Sequence, residues 1–166
     1  MSKSRGTFFT VKDYLDLLPP DYIRYYIAAK LGDGVVDIDL DWEDFAQRIN
    51  ADLVGKLINL GSRLSGFVFK NMSGRMSHTG RYTDFLVQIC AEQDKILAFY
   101  ESKMHSKAIR LIMELTDKVN QWVSEVKPWS LAKEGDIDHM AEVVTTGLNA
   151  YRWLMHMLSP VCPHIT

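Results

Sequence analysis

Three groups of residues in this sequence have types and spacings that could do chemistry. The first is Ser2-Lys3-Ser4-Arg5-Gly6-Thr7, a lysine among small hydroxyl residues and a glycine. In a loop, such a lysine is a point charge that can move onto phosphate oxygens during phosphoryl or nucleotidyl transfer. The plain alternative is a disordered terminus. The second is the pair Asn59 and Arg63. Four positions apart, they share one face if the segment is helical. An amide offers both a donor and an acceptor to an unpaired base edge, and a guanidinium holds phosphate or stacks on a base. Asp52, Gly55, Lys56 and Gly66 share or flank that face. Each glycine costs a helix about 1 kcal/mol relative to Ala, as expected where something packs closely. A solvated face or a close helix–helix crossing would fit the same pattern. The third is Pro128-Trp129, an indole held just after a proline break. Stacking a base on such a ring is worth about 1–3 kcal/mol. The alternative is a core tryptophan at a helix start.

Self-contained catalysis finds little support. The sequence has no H-E-x-x-H, G-x-S-x-G, Walker loop or G-x-G-x-x-G. His78, His105, His139, His156 and His164 share no metal-ligand spacing. Cys90 and Cys162 form neither a C-x-x-C pair nor a disulfide framework, which fits a reducing compartment. His156, Cys162 and His164 lie close in sequence but read as core or surface residues, so no metal site is expected. The methionines read as flexible filler.

These groups need rods to hold them. Thr10 can N-cap a short helix reaching residue 17 or 18, which Pro19-Pro20 ends. Pro20-Asp21 opens a second helix through residue 31, closed by Gly32 and Gly34. Asp41 is a good N-cap for a long helix to about residue 70. Its apolar positions Trp42, Phe45, Ile49, Leu53, Leu57, Leu60, Leu64 and Phe67 are spaced 3, 4, 4, 4, 3, 4, 3, the period of a buried helical stripe. Residues 71–80 carry loop chemistry. Further helices are expected over 82–102, 105–126 and 137–158, with Lys127-Pro128 breaking between the last two. Trp42, Trp122 and Trp153 fall on apolar stripes and are assigned to packing. The fold class is therefore all-α: an antiparallel helix bundle preceded by a short loop or extended segment and short helices.

Composition agrees. A hydrophobic share of 47% is enough for a core in a chain of one-domain length. No apolar run approaches the roughly 18 residues of a membrane span, and no secretory signal is visible. The net charge of −2 hides a blocked distribution. Residues 33–44 hold six acids and no base, while residues 45–83 hold six bases and one acid, Asp52. Such asymmetry can mark a surface that meets a polyanion, or only a solvated basic face.

Taken together, these residues resemble a known family. MSKSRGTF resembles the KMSKS loop of class I aminoacyl-tRNA synthetases with its leading lysine absent. RYYIAAKL (24–31), DIDLDWEDFAQRINADLVGKLINLGSR (37–63), SKAIRLIMELTDKVNQWV (106–123) and KPWSLAK (127–133) resemble the methionyl-tRNA synthetase family in particular. The likeness runs from residue 1 to the end and is least distinctive over 71–80. The loop motif is common to many class I synthetases; RINAD, NLGSR and KPW together are far more specific. Isoleucyl, valyl, leucyl and cysteinyl enzymes also join such a loop to a helical bundle, but NLGSR and KPW argue against them. A helical module for a protein partner would leave the loop sequence unexplained.

The resemblance implies an enzyme that activates methionine with ATP and Mg2+ and transfers it to tRNA. It implies that residues 1–38 are the KMSKS loop and connecting segment from the end of the catalytic domain. Residues 39–166 are then a C-terminally truncated anticodon-binding bundle. Lys3, flanked by Ser2 and Ser4, would contact ATP phosphates. Asn59, Arg63, Pro128 and Trp129 would contact the C-A-U anticodon, with the indole stacked on a base. The implied partners are the anticodon stem-loop of methionine tRNA and the enzyme's own catalytic domain, with no membrane and no DNA. The implied location is the cytoplasm. The H-I-G-H motif, the methionine pocket and the zinc-binding insert often found in the catalytic half have no counterpart in these residues. This segment is expected to bind no cofactor of its own. It should form no methionyl-adenylate by itself. In an ATP–pyrophosphate exchange assay the 166-residue chain should stay at background, and measurable exchange would contradict this.

Overall fold

The structure, a computed structural model, describes residues 10–32, 34, 38 and 40–166. Ser2, Lys3 and Ser4, along with much of the acidic stretch 33–39, lie outside the described residues.

Local chemistry starts the first helices where the sequence places them. Thr10 Oγ1 accepts from the Asp13 N–H at 3.1 Å, and Asp13 Oδ2 accepts from the Thr10 N–H at 2.9 Å. This reciprocal capping box opens α1 (Val11–Leu15). Pro20 sits in the first turn of α2 (Pro20–Lys30), where its missing N–H is harmless. Asp41 Oδ1 caps α3 (Trp42–Arg48), accepting from Glu43 N at 2.8 Å and Asp44 N at 3.3 Å.

The rod expected over 41–70 is continuous but not uniformly α-helical. After α3 the chain widens into a π-helix over Ile49–Ile58, then returns to α4 (Asn59–Asn71). The stripe already holds the reason. Phe45, Ile49, Leu53 and Leu57 are separated by three successive steps of four, which drift off one face of a 3.6-residue helix. The wider winding keeps all four buried. Gly55 suits that winding, since a Cβ there would sit 3.0 Å from the Asn50 carbonyl oxygen. Trp42, expected in the packed stripe, is 43% exposed in the first turn of α3, edge-on to Phe45 at 5.7 Å.

The single helix expected over 82–102 is also divided. A 3-10 turn (Gly80–Tyr82) leads into α5 (Thr83–Cys90), and α6 (Gln93–Glu101) follows a turn at 91–92. α5 packs on α9 and α6 on α7, so a straight rod could not bury both Ile89 and Ile96. α7 (His105–Val126) and α9 (Ile137–Leu158) have the expected bounds. The break between them holds one more short helix, α8 (Pro128–Glu134). The described residues contain helices and turns but no strand, which is the expected all-α class.

α9 is the central rod, touching α4, α5, α7 and α8. Its crossing with α4 is close because glycines alternate across it. A Cβ at Gly61 would fall 2.5 Å from the Tyr151 ring, and a Cβ at Gly147 would fall 2.7 Å from Leu64 Cδ1. Each helix thus inserts a large side chain into the other's glycine notch. A close crossing, one of the alternatives open for Gly55 and Gly66, is made at Gly61 instead; Gly66 has open space around it.

α1 and α2 share this core. Tyr14, Tyr25 and Tyr26 are buried with the bundle residues. The Tyr25 hydroxyl donates to Asp52 Oδ2 at 2.9 Å, and the Tyr26 hydroxyl donates to Asp44 Oδ2 at 2.9 Å. At the other end, buried Asp21 accepts from the backbone N–H groups of His164 at 2.7 Å and Ile165 at 2.8 Å, and from His164 Nδ1 at 3.0 Å. Burial pushes the Asp21 carboxyl up, but the His164 and Ile165 bonds outweigh it and hold it below the usual carboxylate value.

The two kinds of glycine on α4 should respond oppositely to Ala. Gly61→Ala forces a methyl into the Tyr151 ring and should destabilise the chain by about 1–3 kcal/mol. Gly66→Ala meets nothing and should stabilise it by about 0.5–1 kcal/mol through helix propensity. Urea unfolding of the two variants beside the parent reads both signs.

Candidate nucleic-acid interface

The stripe Leu53, Leu57, Leu60 and Leu64 is buried, so the residues opposite it must face out. Asn59 and Arg63 are both exposed, one turn apart at the start of α4. Asn59 is the first residue after the π-helix. Its N–H reaches the carbonyls of both Val54 and Lys56, where the bonding ladder changes span. α7 secures this junction. Asn120 Nδ2 donates to the Lys56 carbonyl at 3.3 Å and to the Thr116 carbonyl at 3.1 Å. Beside it, Lys56 Nζ pairs with Asp117 at 2.8 Å, across partly exposed side chains.

The other half of the site comes from the kink after α7. The residue before a proline avoids the right-handed helical region, so α7 cannot run on through Lys127. Lys127 takes the left-handed conformation, φ 52 and ψ 64, ending α7 with an N–H to the Val123 carbonyl. For a non-glycine residue this costs about 1–2 kcal/mol, held here by packing on both sides. Pro128 is buried in the first turn of α8, and Trp129 follows it, half-buried against the core. Short helix α8 lies along α9 and ends at Gly135 with φ 82.

The two halves meet. The Arg63 guanidinium carbon lies 5.8 Å from the centre of the Trp129 ring, within cation–π range. Of the residues singled out in the sequence, Arg63 and Trp129 are thus side by side, with Asn59 one turn before Arg63 on the same exposed face. Pro128 is beneath the surface, where it fixes the backbone that carries the indole. Trp122 and Trp153 are partly buried against the core, as assigned from their stripes. Asn120 and Asp117 were not singled out in the sequence. Asn120 left a signal all the same: a branched amide inside a strongly amphipathic helix, where it competes for backbone bonds. A cavity of about 710 Å³ lies toward the far end of α9, among Leu86, Trp153, His156 and Thr166, and includes none of these residues. Among the described residues no group of three or more His, Cys, Asp or Glu could hold a metal ion.

The arrangement has a defined chemistry. It presents one amide, one guanidinium and one indole face at a shared surface. No carboxylate follows on α4. Groups of these three types are able to hold an unpaired base and a phosphate.

Known proteins share both the sequence and the fold of this chain. Residues 1–65 match the family model for tRNA synthetases class I (M). The whole chain is 46% identical, over 167 aligned positions, to a methionine–tRNA ligase of Psychrobacter arcticus, and 45% identical to that of Psychrobacter cryohalolentis. In each case it spans about a quarter of the relative's length, 24%. Among solved structures, the methionyl-tRNA synthetase of Mycobacterium tuberculosis in complex with methionyl-adenylate superposes with a TM-score of 0.87. The match has 26% identity and covers 99% of this chain and 33% of that one. The apo form of the same enzyme has the same fold, with a TM-score of 0.80 at 24% identity. The resemblance read in the sequence therefore holds from end to end: this chain is similar to a segment of methionyl-tRNA synthetases.

The amide of Asn120 faces two carbonyls, so only its donor end fits. Asn120→Asp sets a carboxylate against both acceptors and should cost about 1–3 kcal/mol of stability, measured by urea unfolding at neutral pH. A variant as stable as the parent would show that this amide does not hold the junction.

Proposed function

We propose that this chain is the anticodon-reading part of a methionyl-tRNA synthetase, holding the C-A-U loop of methionine tRNA for a catalytic domain in the same enzyme. The observation that carries the reading is the approach of Arg63 to Trp129, beside exposed Asn59. In this reading the indole stacks on an unpaired anticodon base. The Asn59 amide reads a base edge. Arg63 holds the adjoining phosphate or packs on the stacked base. Pro128 acts from below by fixing the indole's orientation.

The rest of the enzyme's chemistry is proposed on the same resemblance. Lys3, between Ser2 and Ser4, would contact ATP phosphates in the KMSKS loop and stabilise charge as the adenylate forms. ATP and Mg2+ would serve the full-length enzyme, whose reaction is ATP-dependent attachment of methionine to its tRNA in the cytoplasm. Residues 1–38 would be the connection to the catalytic domain and 39–166 the anticodon-binding unit. Val11, Leu15, Leu17 and Leu18 leave apolar side chains exposed in and just after α1, which suits a docked catalytic domain.

Binding should weaken with salt, because phosphate contacts release counterions. The sharper test concerns preference. By fluorescence anisotropy, the parent chain should bind a C-A-U anticodon stem-loop more tightly than the same stem-loop with the triplet changed. Trp129→Ala should weaken C-A-U binding by about tenfold, the order of one lost base stack, and should reduce the preference because the base edge that Asn59 reads is no longer held in place. A variant that discriminates as the parent does would remove Trp129 from the site.

A further inference from the structure

Beyond the anticodon residues, α4 continues outward with an aromatic ring that packing does not use. Phe69 is 77% exposed, the most exposed aromatic among the described residues. Among the described residues it stacks on no other ring and is not part of the core cluster or its packed fringe. Gly66 precedes it by three positions, one turn away on the same side, and a Cβ there would meet nothing. The helix surface beside the ring is therefore lowered and open. Lys70 follows directly, and Arg75 lies in the loop beyond α4; both are exposed.

Charge indicates what would sit there. From residue 53 to residue 83 the chain holds five bases (Lys56, Arg63, Lys70, Arg75, Arg81) and no acid. Lys56 is paired with Asp117 and Arg81 with Glu142. Among the described residues, Arg63, Lys70 and Arg75 make no such ion pair. These three cations lie along α4 and the loop that leaves it, and Arg63 and Lys70 are seven residues apart, about 10 Å along the rod. An exposed aromatic flanked by unpaired cations is the pattern that binds single-stranded nucleic acid: the ring stacks a base and the cations follow the phosphates.

We propose that Phe69, with the open notch at Gly66 and the charges of Lys70 and Arg75, forms a second RNA-stacking subsite for a loop nucleotide outside the anticodon triplet. It deepens the anticodon reading and rests on it. The subsite adds affinity without reading sequence, since every base has a π face.

The test uses the 166-residue chain and two fluorescently labelled stem-loops, one with C-A-U and one with a changed triplet. Phe69→Leu keeps an apolar side chain but removes the π face. It should weaken binding to both stem-loops by about fivefold or more and leave their ratio unchanged. Phe69→Trp should restore or exceed parental affinity. Lys70→Gln and Arg75→Gln should each lower the slope of log affinity against log salt by about 0.7, one single-strand phosphate contact. Circular dichroism should show parental folding, since Phe69 supports no packing. Phe69→Leu binding both stem-loops like the parent overturns the proposal, as does a loss that Phe69→Trp does not repair. A Phe69→Leu effect on only one stem-loop also overturns it. If the parent itself shows no preference between the stem-loops while Phe69→Leu still weakens both, the anticodon reading fails and with it the placement of the subsite beside the triplet, while RNA stacking on Phe69 is upheld. No parental binding to either stem-loop overturns both.

Discussion

The interlocked crossing of α4 and α9 fixes everything the site needs. Gly61 makes room for Tyr151, and Gly147 makes room for Leu64. Two knobs in two notches leave α4 little freedom to roll or slide. Protein interiors are close-packed, so a rotation of even a few degrees would drive Leu64 or the Tyr151 ring into backbone. With that face pinned, Asn59 and Arg63 have nowhere to point but outward. α8 lies along the same central helix, so α9 positions both halves of the surface: the guanidinium through α4 and the indole through α8.

Two local departures from regular structure complete the geometry. The π-helix over Ile49–Ile58 rephases the rod, so that Phe45 to Leu57 and Leu60 to Leu64 all reach one core while Asn59 starts a fresh α-helical turn. π segments are rare and often accompany function; this one ends at exposed Asn59. The left-handed Lys127 turns the chain so that Pro128 goes inward and Trp129 lies across the surface. Both departures carry a conformational cost, offset by neighbours: the Asn120 amide at the first, and packing of Pro128 at the second.

The boundaries of α7 and α9 were legible because each has a strict apolar period and a strong stop. So were the capping box at Thr10 and the cap at Asp41. The π-helix was written in the steps of four between Phe45 and Leu57, but a stripe with those steps also satisfies a loose α-helical template. The division of 82–102 was not legible, because Ala91-Glu92 has ordinary helix propensity. Only the different partners of α5 and α6 require the turn. Trp42 shows the opposite error: it fell on the stripe by spacing, yet the first residue of a helix has no preceding turn to hold it against the core. At the candidate site, the i, i+4 spacing pointed to Asn59 and Arg63 and the proline break pointed to Trp129. That Arg63 meets Trp129 across 66 positions of chain follows from the tertiary crossing, which no local pattern encodes.

The central claim is that the guanidinium of Arg63 and the indole of Trp129 work as one surface for an anticodon base. A double-mutant cycle tests it most directly. Arg63→Ala, Trp129→Ala and the double variant would be titrated with the C-A-U stem-loop at fixed salt. If the two side chains hold the same nucleotide, the losses are non-additive, with a coupling of about 1 kcal/mol or more. Losses that add to within about 0.3–0.5 kcal/mol would show that the pair shares no ligand, and the account would fall.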